Sequence, residues 1–221
     1  MAKLQASSIS IRIPNKPSFP PGREKIVKAL RMLLEKNDFN NITISEIARK
    51  AGVTEPLIYK YFRDKRDLLH QVMSEHFENF VFQASEDIQK TEGTLNKLES
   101  MIWHHINCFA TDRILAKILL LEVRSCTDYY RSKPYKMIKK YSMLVLEVIE
   151  EGIRSGEIRK DLPPRFIRQV IFGGIEHTCL MGVVFNKEFN PDILTDYLCR
   201  VLFDGISSAA SSVGNKSAIG D

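Results

Sequence analysis

Apolar residues return every three or four positions along most of the chain, the spacing of helices that each turn one face inward. Ile26, Val27, Leu30, Leu33 and Leu34 set out a first helix over about 23–36. Short apolar groups predict a second at 44–51 and a third at 55–61. Leu68, Leu69, Val72, Met73, Phe77, Phe80 and Val81 line a long fourth helix ending near Lys90. Thr91-Glu92-Gly93 breaks it, and a fifth follows over 95–109 with Leu98, Met101, Ile102 and Ile106. Asp112 is placed to cap a sixth that carries Ile114, Leu115, Ile118, Leu119 and Leu120. Over 126–135 the period is lost, and Pro134 interrupts or starts a helix there. Three more helices are expected at about 135–155, 165–185 and 191–207, the first two separated by SGEIRKDLPP. The fold class is all-α, about nine helices, with an N-terminal three-helix head and a C-terminal helical body.

The head is organised around TISEIARKAGVTEPLIYKYF, residues 43–62. Thr43 with Glu46 three residues on is the capping-box pattern. Gly52 can stop that helix with a positive φ. Thr54 is placed to cap the next helix, and Pro56 falls in its first turn, where a missing N–H costs nothing. Two short helices meeting at a glycine corner make a helix-turn-helix, whose second helix enters the major groove of DNA. Asp64, with Asp67 beyond it, is placed to cap the fourth helix.

The segment from about Gly22 to Phe80 resembles the DNA-binding domain of the TetR family of bacterial transcriptional regulators. The resemblance rests on four parts in order: a first helix with an apolar face, TISEIARKAGV, the aromatic YKYF, and RDKRDLL opening a long helix. It implies a sequence-specific repressor, released from a palindromic operator when a small hydrophobic effector binds the body. It also implies that the fourth helix acts as a lever between body and head. The implied organisation is a flexible arm over 1–21, the helix-turn-helix domain over 22–68, an effector-binding and dimerisation domain over 69–207, and a disordered tail over 208–221. LLLEVR, GEIRKDLPP and IFGGIEH resemble segments of the branch that governs fatty-acid metabolism, which implies acyl-CoA or a fatty-acid derivative as effector.

The candidate DNA-binding residues are Thr43, Thr54, Glu55, Pro56, Tyr59, Lys60, Tyr61 and Lys65. Thr54, Glu55, Tyr59 and Lys60 should form the exposed face of the third helix. Tyr61 and Phe62 divide their work, and Phe62, with no polar tip, belongs to the core. Thr43 sits where helix N–H groups can meet a phosphate, and Lys65 is placed as a phosphate ligand. Glu55 can accept from cytosine N4 or favour its own helix N-terminus. The N-terminal arm is a disordered terminus or a reach into the minor groove.

Charge strengthens the reading. Residues 1–70 hold fourteen Lys/Arg against seven Asp/Glu, while the whole chain stands at only +5. A basic head on a mildly acidic body offers one end to a polyanion. The four cysteines, at 108, 126, 179 and 199, lack metal-ligand spacing and read as reduced thiols of a cytoplasmic protein. No apolar run is long enough for a membrane span, and no catalytic, metal or cofactor motif appears. The expectation is therefore no enzyme, no metal and no cofactor.

In the body, the candidate effector pocket comprises Trp103, Ile106, Phe109, Glu122, Met137, Tyr141, Phe172, Ile175 and Glu176, apolar with sparse polar groups. Arg124, Arg131, Lys133 and Lys136 could meet the phosphates of a CoA group. The last two helices are apolar over too wide an arc for a simple surface helix. Gly173, Gly174 and Gly182 each cost a helix interior about 1 kcal/mol unless another backbone comes close. Both features point to a homodimer packed across a two-fold axis, giving a four-helix interface. The alternative is a monomeric core closed by the same surface. Two other functional classes stand beside the repressor: an architectural DNA-binding protein without an effector, and a helical dimeric protein that has lost DNA binding.

Overall fold

The computed structural model describes residues 19–206. Most of the expected arm and all of the expected tail lie outside the described residues. The described residues hold nine α-helices: α1 Pro21–Leu34, α2 Ile44–Ala51, α3 Glu55–Tyr61, α4 Lys65–Lys90, α5 Thr94–Thr111, α6 Arg113–Lys117, α7 Lys133–Ser155, α8 Pro164–Val184 and α9 Pro191–Ile206. The all-α expectation holds. Contacts divide the chain into two compact units, one ending at Glu86 and the other beginning at Asp87, so the division falls within α4.

In the first unit α1 packs on both α2 and α3, with Ile26, Leu30, Ile47, Ile58 and Phe62 almost wholly out of solvent. Helix α1 starts two residues before its apolar period, because Pro21 and the residue after it need no intrahelical N–H partner. The capping box at α2 is complete. The Glu46 amide donates to Thr43 Oγ1 at 3.2 Å, and the Thr43 amide donates to Glu46 Oε2 at 2.8 Å. Gly52 closes α2 at φ 65°, a conformation that other residues rarely adopt. Thr54 departs from expectation: it has the extended backbone of an N-cap, yet its side chain makes no capping hydrogen bond. Asp64 does cap α4, accepting from the Asp67 amide at 2.8 Å. Arg23 is buried, its guanidinium donating to Gln71 Oε1 at 3.1 Å, pairing with Glu75 and lying 5.4 Å from the Phe62 ring centroid.

In the second unit α5 is the central helix, packed against α7, α8 and α9. Leu98, Met101, Ile102 and Ile106 supply its buried face. Gly93 leads into α5 without a side-chain cap, and the first turn is held from far along the chain. Thr94 donates its amide and hydroxyl to the Glu157 carboxylate, at 2.9 and 3.0 Å. The Thr94 hydroxyl and amide hold the Glu157 carboxyl below its ordinary range. The turn after α7 also clasps the end of α9: the Arg159 amide donates to the Ile206 carbonyl at 2.9 Å, and its guanidinium donates to the Gly205 carbonyl at 3.2 Å. Cations and donors at a helix C-terminus satisfy its open carbonyls.

The expected sixth helix is shorter and more irregular than its apolar run suggests. Asp112 caps α6 through the Leu115 amide at 3.1 Å, but after Lys117 the backbone widens into a π-helical segment, Ile118–Glu122. Two 3₁₀ turns follow, Val123–Ser125 and Thr127–Arg131. Pro134 then lies in the first turn of α7, so it starts the helix rather than interrupting one. All four cysteines are free thiols. Burial, with minor help from Asp112, pushes Cys108 up to about 12, and burial likewise raises Cys179 to about 11, so neither is a ready nucleophile.

Candidate functional site

The α2–α3 corner presents one continuous exposed surface. Thr43, Thr54, Glu55, Pro56, Tyr59 and Lys60 are all open to solvent, and Tyr59 is 54% exposed despite its size. Ile58 is fully buried, which turns positions 56, 59 and 60 outward; Glu55, the first residue of α3, is exposed beside them. Tyr61 stands apart, half-buried, its ring against the backbone of Gly22 and edge-on to Phe62 at 6.3 Å between centroids. Phe62 is core, as expected.

Lys65 also stands apart from the other candidates. Its ammonium donates to the carbonyls of Phe39, Asn40 and Ile42 at 2.8, 3.1 and 2.5 Å. An ammonium has three protons, and these three contacts tie the lysine to the turn before α2. Sequence could not reveal this, because the three carbonyls belong to a turn more than twenty residues upstream. The Thr43 hydroxyl is likewise engaged, donating to Glu46 Oε2 at 2.9 Å. Hydrogen bonds from the Thr43 amide and hydroxyl hold the Glu46 carboxyl below its ordinary range.

In the second unit the candidate pocket residues divide. Phe109, Tyr141 and Phe172 gather around His105, with ring centroids 4.9, 5.7 and 5.5 Å from the imidazole. Tyr141 is anchored by donating to the Met101 carbonyl at 2.8 Å. Ile106 and Ile175 are buried nearby on α5 and α8, and Met137 is half-buried on α7. Glu176 forms a bidentate pair with Arg124, at 2.8 and 2.6 Å. That pairing raises the guanidinium's pKa and commits Arg124 to Glu176. Glu122, at the end of the π-helical segment, has one carboxylate oxygen buried. Segments of this kind often mark functional positions.

Trp103 leaves this group. Its indole Nε1 donates to Asp192 at 2.6 Å, and the residue lines a polar cleft with α9. Residues two apart on a helix point to nearly opposite sides, about 200° round the axis, so Trp103 and His105 could not both face the aromatic cluster. His105, a polar residue on the same helix as Phe109, is the centre of the group. Its signal was Phe109 four residues later, one turn along the same face. His105 keeps slight residue exposure, but its Nδ1 is shielded from water and three rings surround it. Burial lowers its pKa from the ordinary 6.5 to about 4, with Glu176 pulling it back slightly and Arg124 adding to the drop.

A helix-turn-helix unit joined to an all-helical unit with an aromatic-lined polar centre defines a class of DNA-binding regulator. The family model described as bacterial regulatory proteins, tetR family, matches residues 26–72, and that of the YsiA-like protein, C-terminal region, matches 73–205. The chain belongs to the TetR family. It is similar to the fatty acid metabolism regulator protein of Bacillus subtilis (strain 168), 31% identical over 186 residues, spanning 84% of this chain and 96% of that protein. Among solved structures, the fatty acid degradation regulator FadR from Bacillus halodurans superposes at TM-score 0.76 with 26% identity, covering 86% of this chain and 98% of that one. FadR from Bacillus subtilis, solved in complex with stearoyl-CoA, gives TM-score 0.74 and 31% identity over 83% of this chain and 98% of that one. The described residues contain no helix long and apolar enough to cross a membrane.

Proposed function

We propose that the chain is a homodimeric repressor that reads a palindromic operator with α3 and leaves it when a long-chain acyl-CoA or related fatty-acid derivative binds the body. The observation that carries this reading is the exposed arc of α3, where Thr54, Glu55, Pro56, Tyr59 and Lys60 stand together on a helix otherwise fixed by Ile58. Tyr59 and Lys60 supply the phosphate and base contacts, with Thr43 at the start of α2 beside them. With so few long donors on α3, much of the affinity comes from phosphate contacts doubled by the dimer.

Two further observations support the reading. Helix α8 exposes Phe166, Val170 and Met181, and α9 exposes Ile193, Tyr197 and Val201. Gly173 lies on the α8 stripe with open space where a Cβ would stand, room for a partner helix to come close. Gly174 and Gly182 play a different part from the one their spacing suggested: Leu198 and Phe189 of the same chain occupy those gaps. For the effector, the aromatic group around His105 supplies apolar walls, and the stearoyl-CoA complex of the Bacillus subtilis relative gives the ligand class. Arg131 and Lys136 are exposed and suited to the CoA phosphates.

The test starts by selecting genomic fragments bound by the purified protein, then titrates the recovered duplex by fluorescence anisotropy with and without stearoyl-CoA. The expected results are a palindromic site, at least about tenfold weaker binding with the acyl-CoA, and a comparable loss for Tyr59→Ala combined with Lys60→Ala. A ligand shifts this equilibrium only if it binds one state better. Unchanged operator affinity at saturating acyl-CoA overturns the effector; unchanged affinity in the double variant overturns the DNA surface.

A further inference from the structure

The exposed side chains of the α3 surface are not alike in what they offer a groove. Thr54, Tyr59 and Lys60 each have a proton to donate, and Pro56 has no polar side-chain group. Glu55 carries a carboxylate, which can only accept. Phosphate oxygens are acceptors too, so this residue opposes the backbone contacts that its neighbours favour.

Helix α3 does not bind that carboxylate itself. Each of the two short helices has one acid in its first turn, Glu46 in α2 and Glu55 in α3. Glu46 is held by the Thr43 amide and hydroxyl at 2.8 and 2.9 Å. Glu55, among the described residues, has no hydrogen bond and no ion pair. The donors that would fix it at the start of α3 are missing or taken. Pro56 has no N–H, and the Leu57 amide donates to the Thr54 carbonyl at 3.1 Å. The Thr54 side chain makes no capping bond either. One acid closes its helix; the other stands open at the head of the next.

We infer that Glu55 is a specificity-determining residue that selects a cytosine in each operator half-site. The inference rests on the reading of α3 as the major-groove helix. In such a helix the N-terminal residues meet the base edges, and Glu55 is the first residue of α3. A carboxylate needs a donor, and in the major groove only the amino groups of cytosine and adenine supply one. Adenine sets the acceptor N7 beside its amino group, a pair that suits the amide of Asn or Gln. Cytosine offers N4 without an acceptor of its own beside it, which suits a carboxylate. Guanine and thymine would present it with acceptors alone, so wrong sequences are penalised as well as the right one favoured. Tyr59, one turn along the same face and 54% exposed, leaves the helix a donor for the acceptors around that cytosine.

The experiment selects duplexes from a random library with the full-length parent, with Glu55→Gln and with Glu55→Ala, and measures the recovered sites by fluorescence anisotropy at one salt concentration. The parent should recover a C·G pair at one position of each half-site and bind it about tenfold more tightly than the duplex with A·T there. Glu55→Gln should recover A·T, adenine in place of the cytosine, at that position alone. Glu55→Ala should bind the two duplexes within about twofold of each other, and should hold random duplex more tightly than the parent because a charge that repels phosphate is gone. Circular dichroism verifies that each variant is folded, as expected for an exposed residue without partners. The same base pair recovered by all three proteins would overturn the inference and leave α3 as the reading helix. A lower melting temperature of Glu55→Ala with unchanged site preference would also overturn it, assigning the carboxylate to its own helix N-terminus. No consensus site for the parent would instead overturn the reading of α3, and the inference with it.

Discussion

Acidification from pH 7 to 5 should destabilise the second unit through one residue, His105. In the folded chain the imidazole resists protonation because Phe109, Tyr141 and Phe172 replace water around it, and its pKa falls to about 4. In the unfolded chain it takes a proton near the ordinary 6.5. Unfolding therefore takes up a proton as the pH drops. The stability that this residue contributes is whole above 6.5 and is lost progressively from 6.5 down to about 4. Integrating that difference between pH 7 and 5 gives about 2 kcal/mol. The charged groups facing it, Glu176 and Arg124, oppose each other and are paired together, so they leave burial as the controlling effect. The assay is urea unfolding followed by Trp103 emission, which reports the second unit without the first. The companion variant is His105→Phe, which keeps a ring among rings and cannot titrate. The parent should lose about 2 kcal/mol more than the variant between the two pH values. Equal losses in the two proteins, or an NMR titration of His105 centred near 6.5, would refute the reasoning.

Three further outcomes follow from the packing. A Cβ at Gly152 would stand 2.5 Å from Thr94 Cγ2 and 2.7 Å from Ile158 Cδ1, both buried side chains. Overpacking of about 1–3 kcal/mol outweighs the ~1 kcal/mol that alanine brings to a helix interior, so Gly152→Ala should lower the melting temperature by a few degrees. Gly173→Ala meets nothing within 4 Å and should stabilise the chain by up to about 1 kcal/mol while weakening the dimer in sedimentation equilibrium. An unaltered dimer constant would remove Gly173 from the interface. Lys65→Met removes the ammonium from three carbonyls, of which Phe39 keeps the Ile42 amide, and should cost the first unit about 2 kcal/mol, read as lost hydrogen-exchange protection around residues 39–42.

Features set by neighbours in sequence were legible in the chain. Helices α2 and α3 have the bounds expected of them, because a capping box and a left-handed glycine act within one turn. Thr54 shows the limit even there: the residue type suits a cap, but whether its hydroxyl turns inward depends on surroundings that sequence does not display. The π-helical segment was hidden because Ile118, Leu119 and Leu120 are apolar at positions that serve an α- or a π-turn equally well. The aromatic centre was half legible. Phe109, Tyr141 and Phe172 come from three different helices, and only their assembly around His105 shows that Trp103 turns elsewhere, to Asp192. Glycines gave a correct signal of close approach with an ambiguous partner, since Leu198 and Phe189 of the same chain fill two of the gaps.

The clasp between Arg159 and the end of α9 bears on how the protein is made. Helix α5 leaves the ribosome long before α9, yet α9 is one of the helices that cover it. At about 5–20 residues per second, the stretch from Thr111 to Pro191 occupies the ribosome for roughly ten seconds. During that interval the apolar side of α5 waits without its last cover, while the helix-turn-helix unit is already fully synthesised. A nascent chain thus holds a finished helix-turn-helix unit before its second unit can close, and the final turn of α9 is the latch that ends the wait.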